Sequence, residues 1–343
     1  MASRIQTIIF IWTSSLFITC SAAALSLTRS YSGSDFLSGF DFRDTAYYNS
    51  LGYEDGDPTG GFVDYQSASA AASKGLAQVT STNQVYLGVD NTTVLSTSAQ
   101  GRASIRLESK ETFDIGTLLI ADIAHMPANV CGVWPSFWSY NFAEDPVGEI
   151  DIIEGGGEAG LQAQNIVSLH TCGACEFTDI GGTDERSECN MGGGGEWCVD
   201  GDDVNWGGCG STGNDESYGT AFNAAGGGVY ATYVESDRLR IWSWPRASVP
   251  ADITAGIPDP ESWSTPSSDF QTANGGCDVG AYFKDQTIII NTDFCGSNID
   301  ADTWTGEASC SSVASTCAAF VAENPGLFGE VYWLFNSIDL YST

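Results

Sequence analysis

The segment Gly148-Glu149-Ile150-Asp151-Ile152-Ile153-Glu154-Gly155 constrains this chain more than any other. Three carboxylates stand among β-branched isoleucines, a composition that favours an extended strand. Side chains of a strand alternate between faces, so Glu149 and Asp151 share one. Glu154 lies five residues beyond Glu149, and strict alternation would turn it to the other face. One extra residue in a β-bulge at Ile152-Ile153 would return it to the face of the other two. Like charges gathered on one face repel and resist burial, so such a row persists where chemistry uses it.

Glycoside hydrolysis is chemistry of that kind. A retaining glycosidase sets two carboxyl groups about 5–5.5 Å apart, one as nucleophile and one as proton donor. A straight strand would leave the Cα atoms of Glu149 and Glu154 roughly 13 Å apart, at about 3.3 Å per residue. Two long side chains leaning together, helped by a bulge, close most of that gap. Asp151 lies between them, able to hydrogen-bond the nucleophile and to raise the pKa of the group that must keep its proton. The competing reading is an acidic strand face in solvent.

The rest of the chain reads as all-β. Short β-branched or aromatic runs recur between clusters of Gly, Ser, Asn and Asp, at residues 84–88, 104–107, 117–123, 150–153, 229–234, 239–244, 287–291 and 331–335. Forty glycines suit a sandwich with many turns. Helical periodicity is nearly absent, apart from an alanine-rich stretch at residues 67–74 that predicts a short helical turn.

Charge narrows the partners. The formal net charge is −32, from 12 Lys+Arg against 44 Asp+Glu. Phosphates would be repelled, which argues against nucleic acid, and an anionic membrane surface fares no better. A neutral polymer is compatible with this charge. Residues 1–24 read as a secretory signal: Arg4, an apolar stretch too short to span a bilayer, and a small-residue cleavage site ending at Ala24. Residues 25–343 are then the mature chain, read as one domain. Outside the signal ten cysteines remain, which in an oxidising compartment form up to five disulfides of undetermined pairing. Cys172 and Cys175 are expected to be structural, because no βαβ pattern surrounds them. One such pair and two histidines make a structural zinc site an unsuitable reading, and no metal or cofactor is expected. Residues 192–195 lack the lysine and helix of a phosphate loop. Residues 200–203 lack the spacing of a dedicated calcium loop. Asn91-Thr92-Thr93 is the one glycosylation sequon.

Ten tryptophans are the second chemical clue, since indole faces stack on the flat C–H faces of sugar rings. Trp134 and Trp138 would share a strand face beside the acids, either as a sugar platform or as core. Trp242 and Trp244 also share a face, as core or as cleft wall. His125 reads as structural.

Several further segments stand in a telling order. Asp57-Pro58-Thr59-Gly60-Gly61-Phe62-Val63 and Gly101-Arg102-Ala103-Ser104-Ile105-Arg106 precede Cys131-Gly132-Val133-Trp134-Pro135-Ser136-Phe137-Trp138. Leu169-His170-Thr171, Gly226-Gly227-Gly228-Val229-Tyr230-Ala231 and Ile241-Trp242-Ser243-Trp244-Pro245-Arg246 follow the acid motif. Together they resemble the laminarinase-type endo-β-1,3(4)-glucanases of glycoside hydrolase family 16, as secreted by fungi. The resemblance covers nearly all of the mature chain, and the E-x-D-x-x-E form is that of the laminarinase branch. It implies a concanavalin A-like β-jelly-roll sandwich with a concave glycan-binding cleft. It also implies Glu149 as nucleophile, Glu154 as general acid/base and Asp151 as their helper. Trp134, Trp138, His170, Arg102, Trp242 and Trp244 become the candidate substrate-binding residues. The implied protein is a secreted monomer acting on β-glucan, with a transglycosylase or a lectin-like binding module as alternatives.

The chain departs from the family pattern in three places. Asp145-Pro146 stands where Trp-Pro is common. Cys295-Gly296-Ser297-Asn298-Ile299-Asp300 replaces Cys-Gly-Asp-Trp-Ala-Gly, with Trp304 as a conceivable substitute. Tyr233 replaces a Glu. Linkage preference is therefore left open.

Overall fold

The computed structural model describes residues 24–53, 55–142, 147–171, 175–179, 189–191, 207–272 and 276–343. The expected signal segment lies almost wholly outside the described residues, as do Asp145-Pro146, Cys172 and residues 192–195 and 200–203. Among the described residues, ten strands form one sheet and seven form another. The seven-stranded sheet runs in the order Gly207–Thr212, Ile166–Thr171, Gly148–Glu154, Val133–Asn141, Gln286–Phe294, Arg106–Phe113 and Phe40–Phe42. The middle of the ten-stranded sheet is Arg238–Pro245, Gly228–Val234, Thr117–His125 and Tyr332–Ser342. Neighbours in both sheets pair antiparallel, whereas Val63–Tyr65 and Arg102–Ser104 form a separate parallel pair. Every run expected as a strand lies in or overlaps a strand, and Ala68–Ser73 is the short helix, with the Ser67 hydroxyl accepting from Ala70 N–H at 3.4 Å.

Alternation explains the layering. Phe137, Ile150, Leu169, Ile288 and Ile290 of the seven-stranded sheet meet Leu119, Ala121, Ile123, Tyr230, Ile241 and Phe335 of the other in one buried core. Removing each large apolar side chain from water contributes about 1.5–3 kcal/mol, enough to fix which face of each strand points inward. Polar residues between them face outward, the acids of the Gly148–Glu154 strand included.

A second core closes one end of the sandwich. The helices Ala301–Gly306, Ala308–Ser311 and Cys317–Glu323 carry Trp304, Cys310, Phe320 and Val321 against Val133, Phe294 and Ile299. Disulfides Cys131–Cys310 and Cys295–Cys317 clip these helices to the ends of two strands of the seven-stranded sheet. A third bridge joins Cys175 to Cys277, so Cys175 is not half of a redox pair with Cys172. Asn91 of the sequon is exposed in a loop.

Candidate active site

The bulge in the acid strand is present. Glu149, Asp151 and Glu154 stand opposite Tyr140, Trp138 and Ser136 on one side. On the other side they stand opposite His170, Ser168 and Ile166. The three steps from Asp151 to Glu154 are matched by two on each neighbour, from Trp138 to Ser136 and from Ser168 to Ile166. Ile152 and Ile153 are therefore both 0% exposed in the core. All three acids share the outer face. Close contacts explain the bracketing glycines. A Cβ on Gly148 would meet the Tyr282 carbonyl at 2.5 Å, and one on Gly155 would meet the Pro135 ring at 2.4 Å.

Three carboxyls that share one face resist carrying their charges together. Burial pushes the Glu149 carboxyl well above the ordinary range, and the Asp151 charge pushes it further. His170 and Arg106 oppose that rise. Burial pushes Asp151 up to about 8. Glu154 is pushed up to about 8 by burial and by Asp151, while Trp134 and the Asn298 amide favour its charged form. The Asn298 Nδ2 donates to Glu154 Oε1 at 3.2 Å. His170 Nε2 lies 3.2 Å from Asp151 Oδ2. Donor atoms of Glu149, Asp151 and His170 all lie within 4.8 Å of one another, close enough to gather a cation or to exchange protons. At neutral pH the face keeps protons on groups that would lose them in water, the condition for general acid catalysis.

The description of an XgeA-like catalytic domain of glycoside hydrolase family 16 matches residues 52–341. This chain belongs to glycoside hydrolase family 16. A probable endo-1,3(4)-β-glucanase of Aspergillus niger is 39% identical over 335 residues, 96% of this chain and 42% of that protein. The endo-1,3(4)-β-glucanase xgeA of Emericella nidulans is 37% identical, over 94% of this chain and 48% of that protein. The family 16 chain thus spans less than half the length of these two curated relatives. Among solved structures, an elongating family 16 β-1,3-glucosyltransferase is 39% identical with a TM-score of 0.76, covering 93% of this chain and 100% of that one. Laminarinase 16A from Phanerochaete chrysosporium, holding two β-glucans in donor and acceptor sites, is 33% identical with a TM-score of 0.76, at the same coverage. The expected jelly-roll sandwich is the fold this family 16 chain shares with them.

Within the family 16 domain the other candidate residues divide into two groups. Trp134, Trp138 and His170 lie on the acid face. Trp138 is partly exposed opposite Asp151, its indole N–H donating to Asn291 Oδ1 at 2.8 Å. Trp134 packs beside Gly156 and Gly296, both in the left-handed region at φ +93° and +75°. A side chain at either glycine would crowd the indole.

Arg102, Trp242 and Trp244 lie elsewhere, and their expected role in sugar binding is corrected. Arg102 is 0% exposed. Its guanidinium donates to the carbonyls of Asp90, Thr93, Val321 and Ala322 at 2.5–3.2 Å. No donor is left over for a ligand. Trp242 and Trp244 project from the far side of the ten-stranded sheet into a cluster with Leu118, Val229 and Trp263. Tyr233 packs against that same cluster. Trp304 is also no substitute at the cleft, being 1% exposed with its N–H on the Ala314 carbonyl at 3.0 Å.

Arg106, rather than Arg102, is the arginine beside the acid face. Its guanidinium lies between the rings of Tyr48 and Trp138, 5.0 and 5.2 Å from their centroids, 3.7 Å from the Glu108 carboxylate, and its charge opposes the protonation of Glu149. Asn291 and Asn298 also reach the site; nothing in the sequence singles out Asn291, whereas Asn298 lies in a segment that departs from the family pattern.

Proposed function

We propose that this family 16 domain is a retaining endo-β-glucanase cleaving β-1,3- or mixed β-1,3/1,4-glucan. The observation that carries the reading is the bulge, which gives Glu149, Asp151 and Glu154 one face. Glu154 holds a proton at neutral pH and protonates the leaving glycosidic oxygen. Glu149, opposed in its protonation by His170 and Arg106, attacks the anomeric carbon and forms the glycosyl-enzyme. Glu154, now a carboxylate helped by Asn298, takes a proton from the incoming water, which releases the sugar. Asp151, whose carboxyl burial raises to about 8, takes the proton that it and Glu149 share, which leaves Glu149 charged for its attack. Trp134 and Trp138 offer ring faces for sugar stacking. Secretion after removal of residues 1–24 and action as a monomer belong to the same proposal; the three disulfides among the described residues support the secretion. Among the described residues no helix is long and apolar enough to cross a membrane.

The test is reducing-sugar release from laminarin and from barley mixed-linkage glucan, side by side, with Glu149→Gln as control. Cleavage lost in the variant with an unchanged fold supports the reading, and appreciable residual cleavage contradicts the role of Glu149. A second reading, glucan transfer, is favoured by the likeness to the elongating glucosyltransferase. Products longer than the substrate would select it.

A further inference from the structure

A bulge removes one residue's worth of pairing and leaves backbone groups without ladder partners. Buried, such groups cost about 1–3 kcal/mol each unless something else binds them. In the acid strand the exposed liability would be the Ile152 carbonyl and the Glu154 N–H, on the edge facing Ile166–Thr171. One side chain takes both. Asn165 Oδ1 accepts from the Glu154 N–H at 3.1 Å, and Asn165 Nδ2 donates to the Ile152 carbonyl at 2.8 Å. Asn165 immediately precedes Ile166, the residue opposite Glu154, so its amide reaches the bulge from the chain's own end of the ladder.

The amide is itself held. Asn165 is 1% exposed. Its backbone N–H donates to Ser217 Oγ at 3.0 Å and its carbonyl accepts from Gly213 N–H at 2.8 Å. Ser217 Oγ donates to the Asn214 carbonyl at 2.6 Å, and the Tyr230 hydroxyl donates to the Ser217 carbonyl. Gln162 completes the arrangement from three positions upstream. Its Nε2 donates to the Glu154 carbonyl at 2.7 Å while its Oε1 accepts from Gly157 N–H at 2.5 Å. Both backbone groups of Glu154 are thus bound by side-chain amides.

We propose that Asn165 is the positioning residue for Glu154, its amide standing in for the ladder partner that the bulge removes. The inference rests on the reading of Glu154 as proton donor. Chemically the site demands one donor and one acceptor on a short planar group. A charged aspartate at this place accepts from Glu154 N–H but repels the Ile152 carbonyl. A protonated aspartic acid supplies both again. Leucine has the shape and neither function.

The substitutions Asn165→Asp and Asn165→Leu test this, with glucan cleavage followed across pH as a ratio to the wild type. The expected ratio for Asn165→Asp is down about a hundredfold at neutral pH, the usual cost of a misplacement near 1 Å. It climbs back toward one on acidification. The ratio for Asn165→Leu stays low throughout. A flat ratio for Asn165→Asp, or near-normal activity of Asn165→Leu, overturns the proposal. Hydrogen exchange of the unmodified protein gives a check that needs neither variant folding nor activity. The Glu154 amide is expected to be as protected as that of Ile150, and exchange at an open-loop rate would overturn the clamp. Activity retained in Glu149→Gln would instead reject the catalytic reading and leave the exchange result to judge the clamp alone.

Discussion

Two tryptophan pairs of this protein look alike in sequence and end in opposite circumstances. Trp134 and Trp138 stand partly exposed on the acid face. Trp242 and Trp244 stack on one another with centroids 6.3 Å apart, and Trp263 caps both edge-on at 5.0 and 5.1 Å. The Trp242 N–H is spent on the Ser264 carbonyl at 2.8 Å. In each pair alternation places both rings on one face. What differs is the cover, because the second pair lies beneath the segment that carries Val249, Ile253 and Trp263. Shared parity in a strand therefore says which residues act together, and the covering segment decides whether they stabilise the fold or meet a ligand.

The largest effect that could break this contrast is a change of stability. Trp242→Ala should cost about 3–5 kcal/mol, the usual range for a large aromatic truncated in a core. The folded fraction should keep its kcat/KM. Trp138→Ala should cost less stability and weaken glucan binding, visible as a raised KM and in calorimetric titration with laminari-oligosaccharides. A loss of glucan affinity in Trp242→Ala equal to that in Trp138→Ala would erase the distinction. Next in size is the arginine pair. Arg102→Met strands several buried carbonyls and should cost about 3 kcal/mol in denaturant unfolding. Arg106→Met should lower turnover, since Arg106 opposes the protonation of Glu149, and should also cost stability, since it takes away one arginine partner of the buried Glu108 carboxylate. A normal kcat for Arg106→Met would remove it from the site.

The arginines also show where the sequence can be read and where it cannot. The bulge is legible because the period of a strand is rigid. Three acids in one chemical unit with the wrong parity admit one extra residue and little else. Parity fails between Arg102 and Arg106 because no single strand joins them. Arg102–Ser104 pairs in parallel with Val63–Tyr65, and a new strand begins at Arg106. The strand is interrupted at Ile105, so the motif alone does not tell which arginine faces the acids. Trp304 is opaque for a different reason. It sits in a helix of six residues, too short to print a period on the sequence. Asn165 and Asn298 reach Glu154 across 11 and 144 positions, contacts that no local pattern encodes.

A pH titration sharpens the contrast between the faces. The acids of the outer face have pKa values raised by folding, Asp151 and Glu154 to about 8. In the unfolded chain carboxyls titrate near ~4. Between those limits the folded protein holds protons that the unfolded chain has released, so stability is greatest at the acid end and falls as pH rises toward about 8. Glu154→Gln removes one such group. Its melting temperature should equal that of the wild type near pH 4 and exceed it near pH 8, while turnover falls by roughly 10²–10⁴. A melting temperature below that of the wild type at the alkaline end would contradict the sign. The far face, whose cluster is built of apolar and aromatic side chains, gives no such slope to a Trp242 variant beyond its uniform loss.

The smallest expected effect isolates charge from packing. Asn298 stands where the family pattern has a tryptophan, and its amide touches the Glu154 carboxyl rather than offering a ring. That contact favours the charged form of Glu154, against burial and Asp151, which favour the neutral one. Asn298→Ala should therefore move the alkaline limb of kcat/KM upward by less than about one pH unit, because one partly solvated hydrogen bond is worth about 1 kcal/mol. Asn298→Asp should move it further, since it replaces a donor with a second negative charge. Neither should change the melting temperature much, for the side chain lies at the surface. The order of the three limbs is the measurement, with the wild type lowest, Asn298→Ala next and Asn298→Asp highest. Asn298→Ala carries the inference, because it removes the contact without adding charge. A limb that moves down in Asn298→Ala would mean that the proton donor is set by groups other than this amide. A limb that moves up would tie a position where this chain departs from the family pattern to the timing of proton transfer.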